Sequence, residues 1–269
     1  MRNWLLSILL AGVSTVAHAQ TPVPTVRVVD EMLGQRAGVR YYDQYWAPLP
    51  TGPGGAHCYD RFVRVDSAGL NWQARRYVLS TGRLILEQYF TGLVPGMELE
   101  GPSREWYETG QLREELTYHK SQVVGVLQTY YPDGKPRRTE FSPPAKGTTV
   151  CLDSAGHPLP KCPPYHTFAQ LSGKNTYSGK FLKSVQQQFA GYLPAGYSQP
   201  AGLLVYYAFR IDPTGTVQDA RILTDAPADL QAAVLQAVRK LPKFVPAMLE
   251  GSLTNDVVEG MVEAKAVRR

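Results

Sequence analysis

Residues 201–247 read AGLLVYYAFRIDPTGTVQDARILTDAPADLQAAVLQAVRKLPKFVPA. Leu203, Val205, Tyr207, Phe209 and Ile211 alternate along an extended run and so share one face of a strand. Asp212-Pro213-Thr214-Gly215 supplies turn chemistry and residues 217–223 form a second β-type run, which together predict a hairpin. The period then changes. Leu230, Ala233, Val234, Ala237, Val238 and Leu241 recur at helical spacing and predict an amphipathic helix. Asp225 or Asp229 is positioned to cap it, Pro227 is tolerated in its first turn, and Pro242 and Pro246 end it. A last β-like segment, 256–267, alternates in part. Strand, turn, strand, helix and strand in that order predict an α+β layer, an antiparallel sheet with one face covered by the helix.

At these residues the chain resembles the C-terminal domain of the energy transducer TonB and its relatives. The matching features are Ile211-Asp212-Pro213-x-Gly215, then Val217-x-x-Ala220-Arg221-Ile222-Leu223, the helical run from Leu230 to Val238, and Leu241-Pro242-x-Phe244-x-Pro246-Ala247 followed by Gly251. Relatives usually carry an Asp-Glu pair after the first leucine of the helix, where this chain has Gln231-Ala232. The resemblance covers about residues 178–266. Phe181, Leu182, Val185 and Phe189 fall at helical spacing and predict a short helix leading into the domain, its apolar side chains in the core.

Working outward, residues 1–19 carry one positive charge, Arg2, an apolar run from Trp4 to Val16, and Ala17-His18-Ala19 before Gln20. This is the pattern of a secretory signal peptide cleaved after Ala19. The apolar run falls short of the roughly 20 residues that span a bilayer as a helix; an uncleaved anchor is the competing reading. Loss of the leader removes one arginine from a chain of 28 Lys+Arg against 23 Asp+Glu. So mild an excess, in an exported protein, makes nucleic acid a poor partner. Residues 20–58 are an extended N-terminal segment, opened by Pro22 and Pro24 and ending in a Gly/Pro-rich loop.

Residues 59–141 contain an internal repeat. Gly101-x5-Tyr107-x2-Gly110 recurs 24 residues later as Gly125-x5-Tyr131-x2-Gly134, each tyrosine preceded by an aromatic, Trp106 or Tyr130. Aromatics also follow the turn glycines: Tyr77 after Gly69, Tyr89 after Gly82, Tyr118 after Gly110 and Phe141 after Gly134. Glycine supplies a positive φ in the turn and strand aromatics pack on the next hairpin, so a ladder of antiparallel hairpins is expected. Trp106-Tyr107-Glu108-Thr109-Gly110 and Tyr130-Tyr131-Pro132-Asp133-Gly134 resemble the variant MORN repeat, which implies an extended surface and no particular chemistry.

Residues 142–168 are a proline-rich linker holding Cys151, His157, Cys162 and His166, and residues 169–269 are the TonB-like domain. Two readings of the linker stand: a Cys151–Cys162 disulfide, expected in an oxidising compartment, or a zinc site on the two thiolates and two imidazoles, whose spacing matches no standard frame. Cys58 is left over. No Gly-rich phosphate loop, nucleophile elbow or His-Glu-x-x-His occurs, and Glu87, Glu114 and Glu115 sit at repeat positions where solvated strand residues are expected. Neither catalysis, a cofactor nor a small-molecule substrate is expected.

The resemblance to TonB implies strand addition: a sheet edge pairs with an extended segment of an envelope or outer-membrane protein. The candidate edge is the last strand, with Val257, Val258, Met261, Val262, Glu263 and Ala264. The chain thus reads as an exported periplasmic or envelope-associated adaptor. Two alternatives are a structural envelope scaffold that binds a neighbour or peptidoglycan, and a full energy transducer. The last requires an uncleaved anchor and a long proline-rich spacer.

Overall fold

The computed structural model describes residues 39–50, 52–65, 71–91, 98–142, 149–171, 173–176, 179–193 and 203–264. The expected signal peptide, its cleavage point and the first part of the N-terminal segment lie outside the described residues, as do the last residues of the expected final strand. Among the described residues no helix is long and apolar enough to cross a membrane.

The first sheet contains β1 (Val39–Tyr42), β2 (Cys58–Arg64), β3 (Asn71–Val78), β4 (Leu84–Thr91), β5 (Glu98–Leu99), β6 (Gly101–Trp106), β7 (Leu112–His119), β8 (Gln122–Tyr130), β9 (Pro136–Ser142) and β10 (Val150–Cys151). It is an antiparallel meander in the order β1-β2-β3-β4-β6-β7-β8-β9-β10, with β5 pairing β4. The repeat is realised in its turns. Tyr107 N–H donates to Gln111 O and Gly110 N–H to Tyr107 O, and the same pair of bonds joins Tyr131 to Lys135 and Gly134 to Tyr131. Gly110 and Gly134 sit at φ of 100° and 82°, the left-handed residue that follows a type I turn in such hairpins. The repeat tyrosines act through their hydroxyls. Tyr107 donates to Tyr130 O and Tyr131 to Leu152 O, both at 2.8 Å, so each ties its hairpin to the next. Ring contacts run along the other end of the sheet, where Tyr59 stacks on Tyr77 at 5.4 Å and Tyr41 lies tilted against Tyr59 at 6.2 Å.

The rest of the chain comprises β11 (His166–Thr167), β12 (Gln170–Leu171), β13 (Lys174–Asn175), α1 (Gly179–Tyr192), β14 (Leu203–Ile211), β15 (Val217–Ile222), α2 (Ala228–Arg239), β16 (Ala247–Leu249), β17 (Ser252–Thr254) and β18 (Asp256–Ala264). The order β15-β14-β18 makes a three-stranded antiparallel sheet, and β11-β16-β17 a second small one. Val205, Tyr207, Phe209 and Ile211 of β14 are buried against Leu230, Ala233, Val234, Ala237 and Val238 of α2 and Phe181, Val185 and Phe189 of α1. Each of the valine, leucine, isoleucine and phenylalanine side chains contributes about 1.5–3 kcal/mol when removed from water. The expected caps are not used: Pro227 is the N-cap residue with no side-chain cap bond, and Gln231 instead donates to Ala226 O at 2.6 Å. Asp229 accepts only from the adjacent Leu230 N–H. The proline-fixed entry of the chain leaves neither aspartate in the capping position.

The spacing of the two motif halves has a direct cause. Gly215, at φ 83°, accepts a hydrogen bond from Phe244 N–H at 2.8 Å, and a Cβ on Gly215 would lie 2.0 Å from Phe244 O. The Asp-Pro-Thr-Gly turn and the Leu-Pro-Lys-Phe segment therefore pack backbone to backbone, which glycine alone permits.

Candidate functional site: the last strand and the seam beneath it

Strand β18 lies at one side of its sheet, paired to β14 alone in a register running from Leu203↔Ala264 to Ile211↔Asp256. Val258 and Val262 point into the core and Met261 is exposed. Gly260 is opposite Tyr207, and a Cβ there would meet the Tyr207 hydroxyl at 2.5 Å, so the missing side chain makes room for the ring. That hydroxyl is buried without a hydrogen-bond partner among the described residues, and burial raises its pKa above the ordinary tyrosine value.

The direction of the main chain along β18 follows from one pair of contacts. Both N–H and C=O of Glu263 bond to the side-chain amide of Gln186, at 2.9 and 3.0 Å, so Glu263 faces away from β14. Antiparallel partners alternate between bonded and non-bonded pairs, so Met261 and Glu259 also turn their peptide groups outward. No strand lies beyond β18 among the described residues. Of the six residues expected to form the edge, Val257, Met261 and Glu263 belong to this outward set, while Val258, Val262 and Ala264 belong to the set facing β14.

The outer face of the small sheet meets the repeat sheet. Arg40 pairs with Glu259 at 2.5 Å, Asp43 with Arg221 at 2.7 Å, and the Tyr45 ring lies 4.0 Å from the Arg210 guanidinium. This cover explains why Ala208, on that face, is fully buried. Beyond it Leu204, Tyr206 and Met261 remain exposed. A nearby groove lined by Asp43, Tyr45, His57, Asp219 and Arg221 has its polar side chains committed in pairs, Asp43 to Arg221, Asp219 to Arg210 and His57 to Glu108.

A row of directly paired residues crosses the inner face of the repeat sheet: Arg40, Asp60, Arg76, Leu86, Glu105, Glu114, Thr129, Arg138 and Cys151. The C-terminal part docks on both ends of this row, through Glu259 on Arg40 and through Glu250 on Thr129 and Arg138, at 2.7 and 3.0 Å. Between them Asp60 takes a bidentate bond from Arg76, whose guanidinium lies 3.9 Å from the Tyr42 ring. Glu114 accepts from the Tyr165 hydroxyl. Burial, and then the neighbouring Glu105, push its carboxyl up to about 7. The expectation that Glu87 and Glu114 are solvated strand residues is thereby corrected: Glu87 is paired with Arg75 at 2.8 Å, and Glu114 is half-buried in the seam against Tyr165. Its partner Tyr165 comes from a loop 51 residues away, which the repeat position of Glu114 does not reveal.

Cys151 and Cys162 are joined by a disulfide that closes the loop delivering Pro163 O to Arg138 and Tyr165 to Glu114. Their sulfurs are therefore not thiolates for a metal; His157 bonds to Asp153 and His166 packs edge-on against Phe168. Among the described residues no group of three or more His, Cys, Asp or Glu is placed to hold a metal ion. Cys58 is a buried free thiol, pushed up to about 11 by its burial.

The contact at this edge that sequence reasoning missed is that of Gln186 with the Glu263 main chain. The spacing of Gln186 marks it only as a polar position in a helix, and its partner is 77 residues away.

No curated protein and no solved structure matches the chain. Residues 204–259 match the family model described as Gram-negative bacterial TonB protein C-terminal, and residues 99–120 match that of the MORN repeat variant. The first match runs from within β14 to the middle of β18, so α1 and residues Met261–Ala264 lie outside it. The C-terminal match supports a TonB-like, transport-related envelope protein, in which MORN-type repeats precede the TonB-type domain.

Proposed function

We propose that this chain is an exported envelope adaptor which captures an extended segment of an envelope or outer-membrane protein by adding it as a strand along β18. The observation that carries the reading is the outward turn of the Glu259 and Met261 peptide groups at a sheet side with no further strand among the described residues. Such groups present donors and acceptors at the spacing of a neighbouring strand, and main-chain pairing supplies affinity that depends little on sequence. The role is one of binding rather than catalysis. The contacts of Arg40, Asp43 and Tyr45 lie on the face of the sheet and, among the described residues, leave the Glu259 and Met261 peptide groups uncovered, which favours capture over a purely structural scaffold.

The test places a photo-crosslinking amino acid at the exposed Leu204 in cells, with and without Met261→Pro. Proline removes one outward N–H and is tolerated at an edge. An envelope-protein adduct that disappears with the proline is expected; an adduct set indifferent to it sinks the reading. Mass spectrometry of the mature protein tests export, with a first residue of Gln20 expected and an intact Met1 end in the inner membrane counting against it.

A further inference from the structure

The main chain of Glu263 already has a partner that imitates a strand. Gln186 donates through Nε2 to the Glu263 carbonyl at 3.0 Å and accepts from its N–H at 2.9 Å. A primary amide carries a donor and an acceptor side by side, the same pair that a residue of an added strand would offer. The position of α1 is set by Phe181, Val185 and Phe189 in the core, so Gln186 is held at the edge by its helix. Beside it on the outer face, Tyr206 is paired directly with Met261 and Leu204 with Glu263, and Leu204, Tyr206 and Met261 form an exposed apolar shelf.

We propose that Gln186 is a displaceable latch, holding the place of a captured extended segment that carries an apolar side chain to lay on Tyr206 and Met261. This rests on the strand-capture reading and adds to it what is captured and what must move first. An extended chain is the occupant because the edge asks for main-chain donors and acceptors in register, while the shelf beside it asks for one alternate apolar side chain. Two hydrogen bonds to Gln186 are exchanged for two to the segment, so the latch lowers apparent affinity by the fraction of time the edge is closed.

The full chain and its Gln186→Ala variant are compared, since alanine is the better helix former and leaves α1 intact. The probe is a fluorescein-labelled peptide of eight alternating threonine and valine residues, read by fluorescence anisotropy. Gln186→Ala is expected to bind about tenfold more tightly than the parent, and Met261→Asp about tenfold more weakly. Without peptide, amide exchange at Glu263 is expected to quicken by about tenfold or more in Gln186→Ala. Unchanged protection of that amide, equal affinity in parent and variant, or no binding to the variant at millimolar peptide each overturns the latch. A concentration-dependent dimer of Gln186→Ala in sedimentation overturns it too, because the edge would then accept a second copy. If Met261→Pro abolishes peptide binding while Gln186→Ala changes nothing, capture stands and only the latch falls; if Met261→Pro leaves binding intact, capture itself falls.

Discussion

Arg138 and Glu250 meet 112 residues apart in the chain, Nε to carboxylate at 3.0 Å, with side chains 2% and 7% exposed. Arg138 also holds Glu140 at 2.6 Å, and Glu250 accepts from Thr129 as well. Removing one member of a buried pair strands the other charge and costs about 3–5 kcal/mol. Glu250→Leu should fall near the lower end because Glu140 remains. Replacing both, as Arg138→Met with Glu250→Leu, should cost much less than the two single changes together. Urea denaturation of the four proteins gives the coupling, and additive losses would show the pair to be independent.

Glu114 makes the seam sensitive to pH. Its folded carboxyl titrates at about 7 against an ordinary 4.5, because burial and Glu105 disfavour the charge. The folded state therefore holds a proton that the unfolded state has released between those values, and stability falls as pH rises through that window. A tenfold difference in proton affinity between the two states is worth about 1.4 kcal/mol. The groups facing it are Glu105, Arg113, Tyr118, Tyr165 and Glu250. Thermal unfolding followed from roughly pH 5 to roughly pH 8 should show a decline that Glu114→Gln flattens. An identical slope in the variant would remove Glu114 as its source.

The disulfide should matter for docking as much as for the loop it closes. With a sequence separation of 11, chain-entropy arguments give about 3 kcal/mol. Cys151→Ser with Cys162→Ser should lose about that much by urea denaturation. The Tyr165 hydroxyl and Pro163 carbonyl should also loosen their hold on Glu114 and Arg138. Limited proteolysis within residues 152–165 is the check, and equal cleavage with and without the bridge would contradict the docking role.

Gly215→Ala should be among the most damaging single changes in the C-terminal sheet, because the added Cβ would lie 2.0 Å from Phe244 O. Gly134→Ala, at a similar φ of 82° but with open space around it, isolates the conformational part, about 1–2 kcal/mol. A melting temperature for Gly215→Ala no lower than for Gly134→Ala would contradict the backbone contact with Phe244.

Much of the C-terminal fold was legible because period and turn chemistry agree: alternation in β14, Asp-Pro-Thr-Gly, then a helical stripe whose buried positions are the ones its spacing marks. The cap was not legible, since two aspartates could serve and the proline-fixed entry makes Pro227 the N-cap residue in their place. The last strand alternates only in part for two local reasons, Gly260 giving way to the Tyr207 ring and Met261 standing on the exposed shelf. The repeat was visible from its glycines and tyrosines, but the work of the tyrosines was not, because a recurring position does not say whether the ring stacks or the hydroxyl reaches the next hairpin. The Gln186 contact and the Glu114 seam depend on segments far apart in sequence, and nothing local to either residue announces them.

The row crossing the repeat sheet has a consequence for how this architecture can vary. Repeat arrays ordinarily lengthen or shorten by whole units without harm, since each unit touches only its neighbours. Here one molecule-spanning brace grips the array at Arg40 in β1 and at Arg138 in β9. Adding or removing one 24-residue hairpin would shift one grip by about 10 Å, two strand spacings, with nothing rigid left to meet it. The number of hairpins is thereby gauged by the domain that lies across them, and an insertion tolerated in a free-standing array should here cost the whole assembly its fit.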